Sequence, residues 1–180
     1  MQNAIGDDTG HDGQDFKQAG TISAAIEKGG VGLPVPADLL PHRPPFLFLT
    51  AITYLIPGQR AKGYWDLTGK EDFFSGHFPG RPTLPGVLMV ESIAQLGAAA
   101  VLSIPSAEQT VQNGNPHGKL PLFGGIEKAR FRRQVVPGDR LDLEVSLDRL
   151  SARGGKGKGT ASVNGQLACQ VELLFVMVDS

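Results

Sequence analysis

Two side chains able to move protons stand fourteen positions apart in the stretch GHFPGRPTLPGVLMVESIAQ, residues 76–95: His77 and Glu91. His77 sits in a run punctuated by Gly76, Pro79, Gly80 and Pro82, which leaves the backbone around it few conformations. Glu91 lies inside an otherwise apolar segment with helical spacing. A carboxyl on an apolar helix is costly to bury unless it has a partner or a task. Imidazole and carboxyl groups exchange protons near neutral pH once their surroundings tune them, so the pair points to acid–base chemistry. Taken singly, each also has a bland reading, as a packed loop histidine and a satisfied core acid.

The element that must carry Glu91 is a helix from about Pro85 to Ser103. Pro85 suits the first helical turn, and Pro105 marks the stop. From Leu84 to Ile104 the segment approaches the length and apolarity of a membrane span. Glu91 and Gln95, one turn apart near its middle, argue instead for a core helix wrapped by a sheet. A helix start at Asp38–Leu40 and a β-rich run from Phe46 to Ile56 precede it. The turn Pro57–Gly58 pairs that run with Arg60–Leu67. A polar loop over 105–120 follows the helix, with Asn113–Gly114 and Asn115–Pro116. Beyond it come a strand over Leu122–Val136, a turn at Pro137–Asp139, and alternating Leu141, Leu143, Val145 and Leu147, a half-buried strand. The Gly/Lys-rich stretch 153–159 is expected as a loop. Asn164–Gly165 predicts a hairpin between Thr160–Val163 and Gln166–Val178. The inventory is an α+β fold: a curved antiparallel sheet of about six strands around one long central helix.

At 180 residues the chain suits one sizeable core, and its 24 glycines and 13 prolines favour many turns over a helical bundle. The single cysteine, Cys169, excludes an intrachain disulfide and a multi-cysteine metal site, and its apolar neighbours make it a small core residue. Four scattered histidines make no metal site. Residues 1–36 are expected as a disordered, acidic, Gly-rich tail with a short helix around Ile22–Lys28, and 37–180 as a single domain. The start has neither the basic end nor the apolar run of a signal peptide, and its early aspartates argue against an organellar transit peptide. Residues 128–158 carry nine Lys/Arg against Asp139, Asp142, Glu144 and Asp148. No aromatic-rich basic stripe accompanies them, so nucleic acid is not favoured. They form either a solvated strand face or a landing patch for an acidic protein.

Four motifs in order carry a family resemblance: Leu40–Pro41–His42–Arg43 with Pro45–Phe46–Leu47, GHFPG at 76–80, PGVLMVESIAQ at 85–95, and EKARFRRQVVPGDRL at 127–141. Over roughly residues 38–178 the chain resembles the beta-hydroxyacyl-(acyl carrier protein) dehydratases of the FabZ type, which have the hotdog fold. The resemblance implies dehydration of a (3R)-3-hydroxyacyl-acyl carrier protein to the trans-2-enoyl thioester in fatty acid or related lipid or polyketide synthesis. His77 would take the C2 proton and Glu91 would help the C3 hydroxyl leave. Gly86, at the helix start, would offer its N–H to the thioester oxygen. An apolar acyl tunnel is implied, with Phe78, Leu122 and Phe123 beside it. Lys128, Arg130, Arg132 and Arg133 would suit the acidic carrier protein. The resemblance further implies a cytoplasmic homodimer or trimer of dimers, each site taking its histidine from one subunit and its acid from the other, with no cofactor, metal, nucleic acid or membrane span. A packing or loop-bracing role is expected for His42 and Arg43.

Three positions depart from the family pattern. Thr50–Ala51 replaces an Asp–Arg pair, Leu122 stands where an aromatic is usual, and the tail is long, which suggests a specialised paralogue. Competing readings are a FabA-like dehydratase/isomerase, which normally carries Asp at the position of Glu91, a hotdog thioesterase, and a non-catalytic acyl-carrier binding module.

Overall fold

The computed structural model of the chain describes the backbone of residues 26–27 and, in full, residues 32–105 and 118–179. The rest of the expected tail and most of the 105–120 loop lie outside the described residues. The elements are β1 (Ile26–Glu27), α1 (Pro36–Leu39), β2 (Ala51–Ile56), β3 (Arg60–Asp66), a 3-10 turn (Asp72–Ser75), α2 (Gly86–Leu102), β4 (Lys119–Phe131), β5 (Arg140–Ser151), β6 (Gly154–Val163) and β7 (Gln166–Asp179). The strands form one antiparallel sheet in the order β1-β2-β3-β5-β6-β7-β4.

Alternation in the sequence becomes the two faces of this sheet. Leu141, Leu143 and Val145 of β5 are buried, as are Val171 and Leu173 of β7, and with Ile93 and Leu96 of α2 they form the core. Charged side chains fill the other face and pair across strands. Arg60 Nε donates to Glu144 Oε1 at 3.0 Å, Lys62 lies 3.3 Å from Glu144, and Lys158 lies 3.3 Å from Asp148. The helix is apolar nearly all round because the curved sheet and the loop over residues 40–50 cover it. It does not reach membrane length and apolarity, and no other helix among the described residues does.

Two expectations need correction. Residues 153–159 are not a loop: from Gly154 they form β6, paired with β5 and β7. The glycines are there because neighbours come too close for a side chain. A methyl at Gly159 would overlap Ile93 Cγ2 of α2, and one at Gly155 would overlap Arg149 O and the Phe175 ring. The second correction concerns the helix expected around Ile22–Lys28. Ile26 and Glu27 are extended and pair with Leu55 and Tyr54, where the edge of β2 offers its backbone groups.

The hairpin at Asn164–Gly165 is present. Both residues have positive φ (51° and 75°), the combination a tight two-residue turn demands. Cys169 is fully buried on β7, opposite Phe131 of β4, and burial pushes its thiol up to about 11.

Candidate active site

Pro85 occupies the N-cap of α2 with no side-chain cap, so Gly86 is the first helical residue. Its N–H has no carbonyl one turn back to receive it. The Phe131 ring stands close by: a methyl at Gly86 would be 3.1 Å from it. Five residues further along α2, Glu91 enters a cavity of about 190 Å³. Its walls are mainly apolar, with Ala98 and Val101 from α2, Leu122 and Phe123 from β4, and Leu147 and Phe175 from β5 and β7. His42 and Gln95 are the polar neighbours that line it beside Glu91.

Gln95 is fully buried and its amide is fixed from three sides. Oε1 accepts the Phe48 N–H at 2.8 Å, while Nε2 donates to Phe46 O at 3.1 Å and to Glu91 Oε1 at 3.0 Å. Burial pushes the Glu91 carboxyl above its ordinary range, and the hydrogen bond from Gln95 opposes part of that rise.

His42, for which a packing or loop-bracing role is expected, lines this cavity. Its Nε2 lies 3.7 Å from Glu91 Oε1, and its Nδ1 is buried without a hydrogen-bond partner. Burial, then the adjacent Arg43 charge, pushes its pKa down. Both members of the contact are therefore driven toward their neutral forms. Arg43 is a loop brace, donating to Leu40 O at 2.7 Å and His42 O at 2.8 Å. The signal for His42 lay in its motif: the residues after Pro45 provide the backbone groups that hold Gln95.

His77 is held by a separate closed loop. Its N–H donates to Phe73 O at 2.9 Å, and its carbonyl accepts the Thr83 N–H at 2.8 Å. Leu84 N–H donates to Val135 O at 2.8 Å, which pins the loop to the segment after β4. The ring Nδ1 is 2.7 Å from Thr83 O. A carbonyl only accepts, so Nδ1 carries the hydrogen, and in the neutral ring the lone pair is on Nε2. The ring stacks on Phe78 at 4.0 Å between centroids. A run of aromatic contacts, Phe46–Phe48–Trp65–Phe73, joins this loop to the backbone that holds Gln95.

Within one chain His77 does not line the Glu91 cavity. Of the residues expected beside an acyl chain, Leu122 and Phe123 are in its wall. Phe78 is not, and it stands half-exposed against the His77 ring. In the basic group, Lys128 lies 3.8 Å from Glu172. Arg132 and Arg133 donate to the neutral amides of Gln170 (3.3 Å) and Gln166 (2.8 Å). No ion pair involves Arg130 among the described residues.

Residues 40–172 match the FabA-like domain family. The chain is 46% identical over 140 residues to the 3-hydroxyacyl-[acyl-carrier-protein] dehydratase FabZ of Bacillus velezensis, covering 78% of this chain and 93% of that protein. It is 50% identical over 141 residues to the FabZ of Chloroflexus aggregans, covering 78% and 92%. Among solved structures it is similar to Cj0977 of Campylobacter jejuni, with a TM-score of 0.55 and 16% identity over 81% of this chain and 89% of that one, a likeness of fold. The antiparallel sheet around α2 is the hotdog fold, and the chain belongs to the FabA-like domain family, with the FabZ 3-hydroxyacyl-[acyl-carrier-protein] dehydratases as its relatives.

Proposed function

We propose that the chain dehydrates (3R)-3-hydroxyacyl-acyl carrier protein to the trans-2-enoyl thioester in fatty acid synthesis, with His77 as base and Glu91 as acid. The observation that carries these roles is the Glu91 carboxyl, pushed toward its protonated form by burial in an apolar cavity large enough for part of an acyl chain. His77 Nε2 takes the proton from C2, and the C2–H electron pair becomes the C2–C3 double bond. The C3–O bond breaks with its pair on oxygen, which takes the Glu91 proton and leaves as water. His77 is then cationic and Glu91 anionic, and one proton returned from His77 to Glu91 through solvent restores both. The Gly86 N–H is the donor for the thioester oxygen, where negative charge develops. The carrier protein docks near Arg130, Arg132 and Arg133, whose charges have no acidic partner among the described residues.

Two copies complete each other's sites by pairing along β4, each site taking His77 from one copy and Glu91 from the other. Support comes from β4 itself, the last strand of the sheet, with Ile126 53% and Phe131 51% exposed. An unpaired thirteen-residue edge with exposed apolar side chains is a template for a partner strand. The setting is cytoplasmic, and residues 37–180 act as the single catalytic domain.

The test is a mass-spectrometric assay on 3-hydroxyacyl carrier-protein thioesters of several lengths. The wild type removes one water, while Glu91→Gln and His77→Ala each lose about 10²–10⁴-fold in kcat with the fold unchanged. Full turnover in Glu91→Gln would sink the assignment. Free acid in place of enoyl product would indicate a thioesterase, and tight binding without water loss a binding module.

A further inference from the structure

We infer that Gln95 is a positioning residue that selects which oxygen of Glu91 hands over its proton: Oε1 is tied down as an acceptor, and Oε2 is the donor to substrate. This inference rests on the acid role of Glu91 given above. It needs no observed hydrogen. The Phe48 N–H can only donate, so the Gln95 atom 2.8 Å from it must be the carbonyl oxygen. Phe46 O can only accept, so the atom 3.1 Å from it must be the NH2 group. The two constraints agree, and they leave the second amide hydrogen for Glu91 Oε1 at 3.0 Å. Gln95 itself is fully buried, which keeps water from its amide.

A carboxyl that accepts through Oε1 keeps its C=O there and its O–H at Oε2. When the proton leaves Oε2, the charge spreads to Oε1, where the Gln95 N–H already points. The same hydrogen bond that orients the acid therefore also stabilises the conjugate carboxylate, more strongly than it stabilises the acid. The remaining groups facing Glu91 make no hydrogen bond to it among the described residues. From the loop over 40–50 come His42, uncharged, and Arg43, whose guanidinium is turned to the Leu40 and His42 carbonyls. The walls from β4, β5 and β7 add no ionisable side chain among the described residues that line the cavity. In the assembled site the His77 of a second copy is the other titrating group.

Gln95→Met keeps volume and removes both donors. We expect kcat to fall about tenfold or more with KM nearly constant, because the interaction is used when the proton moves. The alkaline limb of the kcat profile, where Glu91 loses its proton, moves to higher pH because the bond that held the pKa down is gone. A purely structural role would scale the profile by the folded fraction and leave the limb in place. Infrared difference spectra give a second readout that needs only the wild type and Glu91→Gln. The Glu91 C=O band of the wild type is expected at the lower frequency of a hydrogen-bonded carbonyl. A band at the frequency of a free carbonyl overturns the inference even where Gln95→Met does not fold, and so does an unmoved limb in a folded Gln95→Met. Turnover retained in Glu91→Gln overturns the acid role itself, which keeps the two failures apart.

Discussion

At the scale of single residues, the His42–Glu91 contact sets two neutralising tendencies side by side. Burial lowers the imidazole pKa and raises the carboxyl pKa. A folded-state pKa below 6.5 for His42 means that the unfolded chain binds the proton first as pH falls. Stability tied to His42 is therefore present above pH 6.5 and is lost as pH drops through 6.5 toward the lower folded value. His42→Phe removes this contribution. Urea-unfolding midpoints taken across that range should fall less steeply for the variant than for the wild type, and parallel curves would count against the burial argument. As candidates His77 and Glu91 stand out in the sequence, since an imidazole in a rigid loop and an acid on an apolar helix are each conspicuous, while their proposed roles rest on the family motifs around them. The contact of Glu91 with His42 was not legible. His42 lies forty-nine positions upstream, and only the folded loop brings it there.

Among the elements, the hairpin at Asn164–Gly165, the β2–β3 pair and the helix α2 followed directly from turn chemistry and period. β6 did not. Gly154, Gly155, Gly157 and Gly159 have low strand propensity, and local sequence favours a loop. What overrides it is tertiary: α2 crosses so near the sheet that no side chain fits at Gly159. Gly159→Val should therefore destabilise the fold by about 1–3 kcal/mol through forced repacking. Gly76 provides the contrast, with a φ of −104° and nothing within 4 Å of an added methyl. Gly76→Ala should leave the thermal midpoint unchanged. Similar midpoints for both variants would show that the helix–sheet gap can relax, contrary to the packing described.

For the whole molecule, the proposed exchange of catalytic groups between copies has a quantitative consequence. In an equimolar mixture of His77→Ala and Glu91→Gln chains, unfolded together and refolded, about half the dimers combine one of each. Each such dimer has one site with both groups intact, so about a quarter of wild-type activity returns under random twofold pairing. Sites built within one chain would give none, which makes the mixed assay decisive for the assembly. The sequence alone identifies β4 as a strand but not as the last one, because strand order depends on long-range pairing.

The position of Cys169 opposite Phe131 carries a kinetic meaning. A thiol with a pKa near 11, sealed beneath the joint between β7 and β4, is nearly silent toward disulfide reagents at neutral pH while that joint is closed. Its labelling rate therefore counts how often the edge strand peels away from β7, a native stopwatch for local opening beside the strand along which the copies are proposed to pair.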